Sequence, residues 1–340
     1  MAINTQKLKA AIKTLMPATS SKDLILQMSH LVFKDECVLA YNDKLCIVHP
    51  LKTGVNASIP AEDLNKILSG ITEEEVGIVV NGNEVVITSK TTTATVATEI
   101  ESRIVEDFYT KLDFDSFDWK ELPSNFLDKI TLARFSVSSN TLDSDNLACI
   151  CIDGGNVFSG DSYRLSLLEM NGEMDRVLIP GTVANDLIGF SDFDEYCIDS
   201  GWLYLSNASG IIVSCRIIVG DYPDFLPYFD AFDSIGEASL EMNLIPILQN
   251  LSTLVEGEAS FMKSVSITIS RGHTLISGKK EGLNIEKKVP NSHGGEELTF
   301  NVSPVFLAHI LGVTNTLAVG ENSALFEGTE FRHIVQLPID

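Results

Sequence analysis

Apolar residues recur at helical spacing at the start of each third of this 340-residue chain. Leu8, Ile12, Leu15 and Met16 predict a helix over 5–16, which Pro17 stops. Phe126, Leu127, Ile130 and Leu132 predict one over 123–135, with Pro123 and Ser124 as start signals. Leu244, Ile245, Leu248, Leu251 and Leu254 predict a third over 243–255, where Pro246 is tolerated only in the first turn. A second helical stretch opens at Ile59-Pro60 (IPAEDLNKILSGI), near Ile179-Pro180 (IPGTVANDLIGF) and near Phe300-Asn301 (FNVSPVFLAHILG), at offsets of 120 and 121 residues. Self-similarity at a fixed long period speaks to the whole architecture, and it predicts three related domains.

Short β-like runs with turn chemistry lie between the helices. Cys37–Tyr41 and Leu45–Val48 are joined by Asn42-Asp43, and Val76–Val80 and Glu84–Thr88 by Asn81-Gly82-Asn83. Ala148–Ile152 runs into an expected turn at Asp153-Gly154-Gly155, and Ser264–Ser270 into one at Arg271-Gly272. Two helices and several hairpin-ordered strands per third make an α+β fold with antiparallel sheet. The expected domains are 1–110, 111–233 and 234–340, with linkers near 104–120 and 224–238, where acids and aromatics replace regular alternation.

Composition narrows the class. No apolar run approaches the roughly 18 residues that cross a bilayer as a helix, and the first residues lack the pattern of a signal peptide. The expectation is a cytoplasmic protein with no membrane partner. Cys37, Cys46, Cys149, Cys151, Cys197 and Cys215 contain no Cys-x-x-Cys and sit in apolar runs, as reduced packing residues do. Of the formal net charge of −23, −14 falls in residues 111–233. Taken alone, such a charge repels a phosphate backbone.

Catalytic patterns are missing. There is no phosphate loop, dinucleotide fingerprint, His-Glu-x-x-His or Gly-x-Ser-x-Gly, and Ser277-Gly278-Lys279-Lys280 lacks the first glycine of a phosphate loop. The six histidines are scattered, and His309 reads as a structural or pore-facing residue. The acid pairs Asp113/Asp115, Asp192/Asp194 and Asp221/Asp224 are the one route to an alternative, a metal-dependent acidic-site hydrolase. They lie in loops without a histidine or lysine partner nearby. The expectation is a non-enzyme with no catalytic residues, no cofactor and no metal.

Four segments carry a resemblance. They are GDSYRLSL at 160–167, GDYPDFLP at 220–227, NVSPVFLAHILG at 301–312 and the terminal SALFEGTEFRHIVQLPID. With the threefold repeat, in this order and at this spacing, the chain resembles the bacterial DNA polymerase III beta subunit, the sliding clamp, as a divergent member of the kind a phage encodes. The family has Thr-Asp-Gly-His-Arg-Leu where this chain has Gly160-Asp161-Ser162-Tyr163-Arg164-Leu165. It has a tyrosine where Pro304 stands, and an arginine-leucine ending where this chain has Ile339-Asp340.

The resemblance implies a processivity factor: two three-domain chains closed head-to-tail into a ring around duplex DNA, in a bacterial or phage-infected cell. It implies a partner-peptide pocket, through which a replicative polymerase and a clamp loader attach by short hydrophobic peptides. Carried over by motif, its residues are Ser162, Tyr163, Arg164, Leu165, Pro223, Asn301, Pro304, Ser323, Val335, Leu337, Pro338 and Ile339. The pore-lining helices would present Lys7, Lys9, Lys13, Lys66, Lys129 and Arg134 to DNA, and the third-domain helix LIPILQNLSTLV has no base. Val96, on the edge-like run Thr92–Thr98, is the expected interface contact, with Leu254 and Val255 on the partner. The sparse pore charge motivates a second reading, a clamp-like decoy or accessory protein that binds polymerase peptides without supporting synthesis.

Overall fold

The computed structural model of the protein describes residues 2–20, 26–34, 36–98, 105, 109–110, 112–138 and 146–338. The chain forms two compact units, residues 1–124 with 182–219 and residues 125–181 with 220–340. The thirds of the repeat and the compact units therefore do not coincide.

In the first unit, helix Thr5–Leu15 is amphipathic: Leu8, Ala11, Ile12 and Leu15 are buried, and Asn4 caps its start by accepting from the Lys7 N–H at 3.0 Å. Helix Ala61–Ser69 buries Ala61, Leu64 and Leu68 and carries Glu62 and Asp63 in its first turn, where negative charge complements the helix dipole. An eight-stranded antiparallel sheet runs in the order 57–60, 30–34, 37–41, 45–50, 212–216, 202–206, 195–199, 120–121. Strands 45–50 and 212–216 come from different thirds, yet pair in register with Cys46 opposite Ser214. A four-stranded sheet runs 2–4, 75–81, 84–88, 93–97, which leaves Thr93–Ala97 on an edge. The hairpin turn ahead of Glu84–Thr88 depends on Gly82, whose φ of +61° suits glycine.

The stretch expected to link the first two thirds is partly core. Phe117 packs edge-on against Tyr204 at 4.7 Å, and Phe114 and Trp119 join the same cluster. Aromatics without periodicity read as a linker, but their area makes them bury.

In the second unit, a six-stranded sheet runs 149–160, 164–180, 331–336, 323–328, 316–319, 236–239, and a four-stranded one runs 283–290, 273–280, 265–270, 298–302. Helices Leu244–Leu254 and Pro304–Leu311 close a core that includes Leu248, Leu251, Ile267, Ile276, Phe306, Ile310, Phe326 and Val335. Each such aliphatic or aromatic side chain contributes about 1.5–3 kcal/mol on full burial. Pro246 lies in the first turn of its helix, as its missing N–H requires. The turn expected at Asp153-Gly154-Gly155 is absent: the strand runs on to Gly160 through register shifts around Gly154, whose φ is +60°. Glycine here makes a bulge in place of a turn. The expected second linker also holds structure, with helix Leu226–Asp230 and the start of strand Gly236–Ser239.

All six cysteines are buried, and none forms a disulfide. Burial pushes Cys46 and Cys215 up to about 12, so both remain thiols at neutral pH. Among the described residues no helix is long and apolar enough to cross a membrane.

Candidate functional site

A hairpin tip builds one wall of a pocket of about 920 Å³ in the second unit. The tip connects strands Cys149–Gly160 and Arg164–Pro180. Asp161 folds it: its Oδ1 accepts from the N–H groups of Tyr163 (2.9 Å) and Arg164 (3.0 Å), and its Oδ2 from Nε of Arg164 (3.0 Å). The guanidinium so held lies 3.9 Å from the Phe306 ring centroid and 5.4 Å from that of Phe135, a cation–π sandwich. Burial lowers the Arg164 pKa, and Asp161 opposes that shift. Its Nη1 is buried without a hydrogen-bond partner. Tyr163 stacks on Phe261 at 4.4 Å with the rings 9° apart, and its carbonyl accepts from the Gln336 N–H at 2.8 Å.

The floor comes from cross-strand pairing. Leu165 stands opposite Ile334, and both line the pocket; Gln336 and Ser323 lie beside them. Phe225, Pro227 and Tyr228 make the far wall, with Phe232 and Ile235 beyond. Tyr222 braces Phe225 edge-on at 5.4 Å. Gly160 permits the close approach of the two walls: a Cβ there would meet Leu165 Cδ2 at 2.8 Å, the Arg164 carbonyl at 2.9 Å and the Phe225 ring at 3.0 Å. Beneath the floor, buried His333 meets Ser166 Oγ through Nδ1 at 2.8 Å, and Ser166 meets Ser136 at 2.6 Å. Burial and the nearby Arg164 charge hold His333 well below the usual imidazole pKa.

The structure brings Ser162, Tyr163, Arg164, Leu165 and Ser323 together at this pocket. It does not bring the other motif-matched residues there. Val335 and Leu337 point into the core, because side chains alternate along the strand and Ile334 and Gln336 take the pocket face. Pro304 is buried as the first residue of its helix, where a missing N–H costs nothing. Asn301 lines a separate polar hollow with Glu256, Ser266, Ser277 and Lys279. Pro223 is exposed and Pro338 half-buried, both outside the lining, and Ile339 lies outside the described residues. Sequence reasoning missed Phe225, Pro227, Tyr228 and Ile334. The signal was present in the aromatic run Phe225-Leu226-Pro227-Tyr228-Phe229, which carries more apolar area than a linker needs.

The basic residues divide as sharply. Lys7, Lys13, Lys66 and Arg134 are exposed. Lys66 pairs with Glu62 at 3.1 Å, and Lys9 donates to the Ile71 carbonyl at 2.7 Å. Lys129 is a correction: it is buried, and its Nζ meets Glu330 Oε2 at 2.7 Å, so its charge is spent inside the unit. Val96 is half-buried on the edge strand. Val255 is buried in its own core beside Gly278, which leaves Leu254 as the member of that pair with surface to offer.

The acid pairs serve loops. Asp194 Oδ2 accepts from the Ala208 N–H at 2.7 Å, and Asp192 Oδ2 from Ser191 Oγ at 2.9 Å. Among the described residues no group of three or more His, Cys, Asp or Glu side chains is placed to hold a metal.

No family model and no curated protein sequence matches the chain. Solved structures do. The DNA polymerase III beta chain of Streptococcus pneumoniae aligns at a TM-score of 0.84 and 17% identity, over 100% of this chain and 99% of that one. The DNA polymerase sliding clamp of Bacillus subtilis aligns at 0.83 and 16%, over 100% and 98%. The Helicobacter pylori beta clamp bound to a DNA ligase peptide aligns at 0.81 and 14%, over 100% and 99%. The resemblance carried by the sequence motifs is thus matched by a likeness in structure along the whole chain: the protein has the fold of the bacterial DNA polymerase III beta subunits, the sliding clamps.

Proposed function

We propose that the protein is a DNA sliding clamp, a non-catalytic processivity factor that encircles duplex DNA and tethers a replicative polymerase. The observation that carries this reading is a fold likeness to sliding clamps that runs the full length of both chains at TM-scores of 0.81–0.84. The physical logic is topological: a closed ring retains its partner on DNA without gripping sequence, and contacts to phosphate stay few and mobile. The three domains 1–110, 111–233 and 234–340 are the repeat units of that ring, and neighbouring repeats share sheets. Lys7, Lys13, Lys66 and Arg134 are the DNA-facing bases, with Lys9 a weaker contributor because it is tied to Ile71. The hollow bounded by Tyr163, Leu165, Tyr228 and Ile334 takes a short hydrophobic peptide of the polymerase or of a clamp loader, an apolar-anchor mode of recognition.

The ring closes as a head-to-tail homodimer through sheet edges. Thr93–Ala97, with Val96, is one edge. The counter-edge is Leu283–Pro290, an eight-residue edge strand exposed along most of its length, and Leu254, at the end of helix Leu244–Leu254, adds an apolar contact. The site of action is the cytoplasm of a bacterium or a phage-infected cell. The deciding test is retention on DNA, with mass measured in parallel. A dimer that stays on nicked circular DNA and runs off linear DNA is the expected result. A monomer with equal, salt-labile binding to both forms would sink the reading.

A further inference from the structure

The pocket that the proposed function assigns to a partner peptide has a rim of one sign. Three acids line it, Asp161, Asp233 and Glu321, against the single base Arg164. Asp161 and Arg164 neutralise each other at 3.0 Å with side chains only 12% and 10% exposed, so neither offers a net charge outward. Asp233 and Glu321 are exposed. The far wall belongs to the segment 220–235, which adds Asp221, Asp224 and Asp230 and contains no lysine, arginine or histidine. Those three carboxylates are exposed as well. Between the acids stand apolar groups open to solvent, Tyr228 at 63% and Ile235 at 69% exposure.

From this arrangement we infer that the pocket selects a peptide whose apolar anchors are flanked by lysine or arginine, and that Asp233 and Glu321 read those flanking charges. The anchors fill the space between Leu165, Ile334 and Tyr228. Basic flanks meet the rim carboxylates, which raises the on-rate and excludes acidic competitors, as complementary charge does at interfaces. Nucleic acid is disfavoured at this face by the same charges. The inference rests on the peptide-pocket reading, and the following experiment separates their failures.

A random peptide library displayed on phage is panned on the intact protein, with the exposed-rim variant D233N/E321Q and the variant Leu165→Asp, which puts a charge in the apolar floor, panned in parallel. The expected result on the wild type is an apolar consensus with Lys or Arg beside it. On the rim variant the same apolar consensus returns without the basic flanks, and on Leu165→Asp it vanishes. Titration of the selected peptide should then show about a fivefold weaker affinity for the rim variant, the scale of two exposed ion pairs, shrinking as salt rises. An apolar consensus with neutral or acidic flanks on the wild type would overturn the charge reading and leave the pocket standing. No apolar consensus, or one that survives Leu165→Asp, would remove the pocket and this inference with it.

Discussion

The hairpin tip at Gly160–Leu165 and the strand Phe331–Gln336 meet across the same pocket, yet they serve it differently. At the tip, consecutive residues reach the site, because a turn lets Ser162, Tyr163, Arg164 and Leu165 fan out around the Asp161 carboxylate. On the strand only alternate residues do, with Ile334 and Gln336 facing the pocket and Val335 facing the core. A motif on a turn can be carried over whole, whereas a motif on a strand carries half its residues to the other side.

The contrast is open to direct attack. Val335→Ala should cost about 2–3 kcal/mol, two methyl groups plus the cavity they leave, read as a lower urea midpoint with affinity of the folded protein for a pocket peptide unchanged. Lost affinity at unchanged stability would move Val335 to the pocket face. Gly160→Ala should cost about 1–2 kcal/mol by overpacking against the Arg164 carbonyl and the Phe225 ring, and it should weaken peptide binding as well, because the tip must shift. A variant that keeps wild-type affinity would show the tip to be more compliant than its contacts indicate.

His333, between Val335 and the turn on the same strand, adds a pH arm. Its folded pKa is held well below the ordinary value, so the unfolded chain takes up the proton first as pH falls. Its contribution is complete above pH ~6.5 and is progressively lost as pH falls below it, by on the order of 1 kcal/mol between pH 7.5 and 5.5. The Glu73 carboxylate, held at about 2 by hydrogen bonds from Thr91 and its neighbours, loses its contribution only between its ordinary value and about 2. Chemical denaturation at both pH values, wild type against His333→Gln, should therefore show a flatter profile in the variant; equal slopes would contradict the assignment. The smallest effect belongs to Gln336→Ala: stability within about 0.5 kcal/mol, as for an exposed site, and a modest change in peptide affinity. A large loss of stability there would mean that the two faces of the strand are not separated as described.

Much of the fold was legible. The first helices of the three thirds and the hairpins at Asn42 and Gly82 are local matters, set by 3.6-residue spacing and turn chemistry, and they stand where those rules put them. Gly154 was ambiguous because the same left-handed glycine serves a turn or a bulge, and the cross-strand partners that choose between them are distant. Lys129 failed for a similar reason. On its helix it looks like a solvated lysine, and its partner Glu330 stands 201 residues away. The far wall of the pocket left only its aromatic run as a trace, because acids and aromatics without a period suggest a linker, and tertiary packing is what buries Phe225 and Phe229 while Tyr228 stays exposed.

The strand Phe331–Gln336 sits in the middle of its sheet, between Arg164–Pro180 and Ser323–Gly328. Pocket formation is thereby tied to the timing of synthesis. A nascent chain that has not yet delivered Gln336 has no floor opposite Leu165, and the exposed edges of both neighbouring strands must wait for it. Partners that use the pocket would meet a surface that exists only once translation has passed it, so a truncated product could not compete for them.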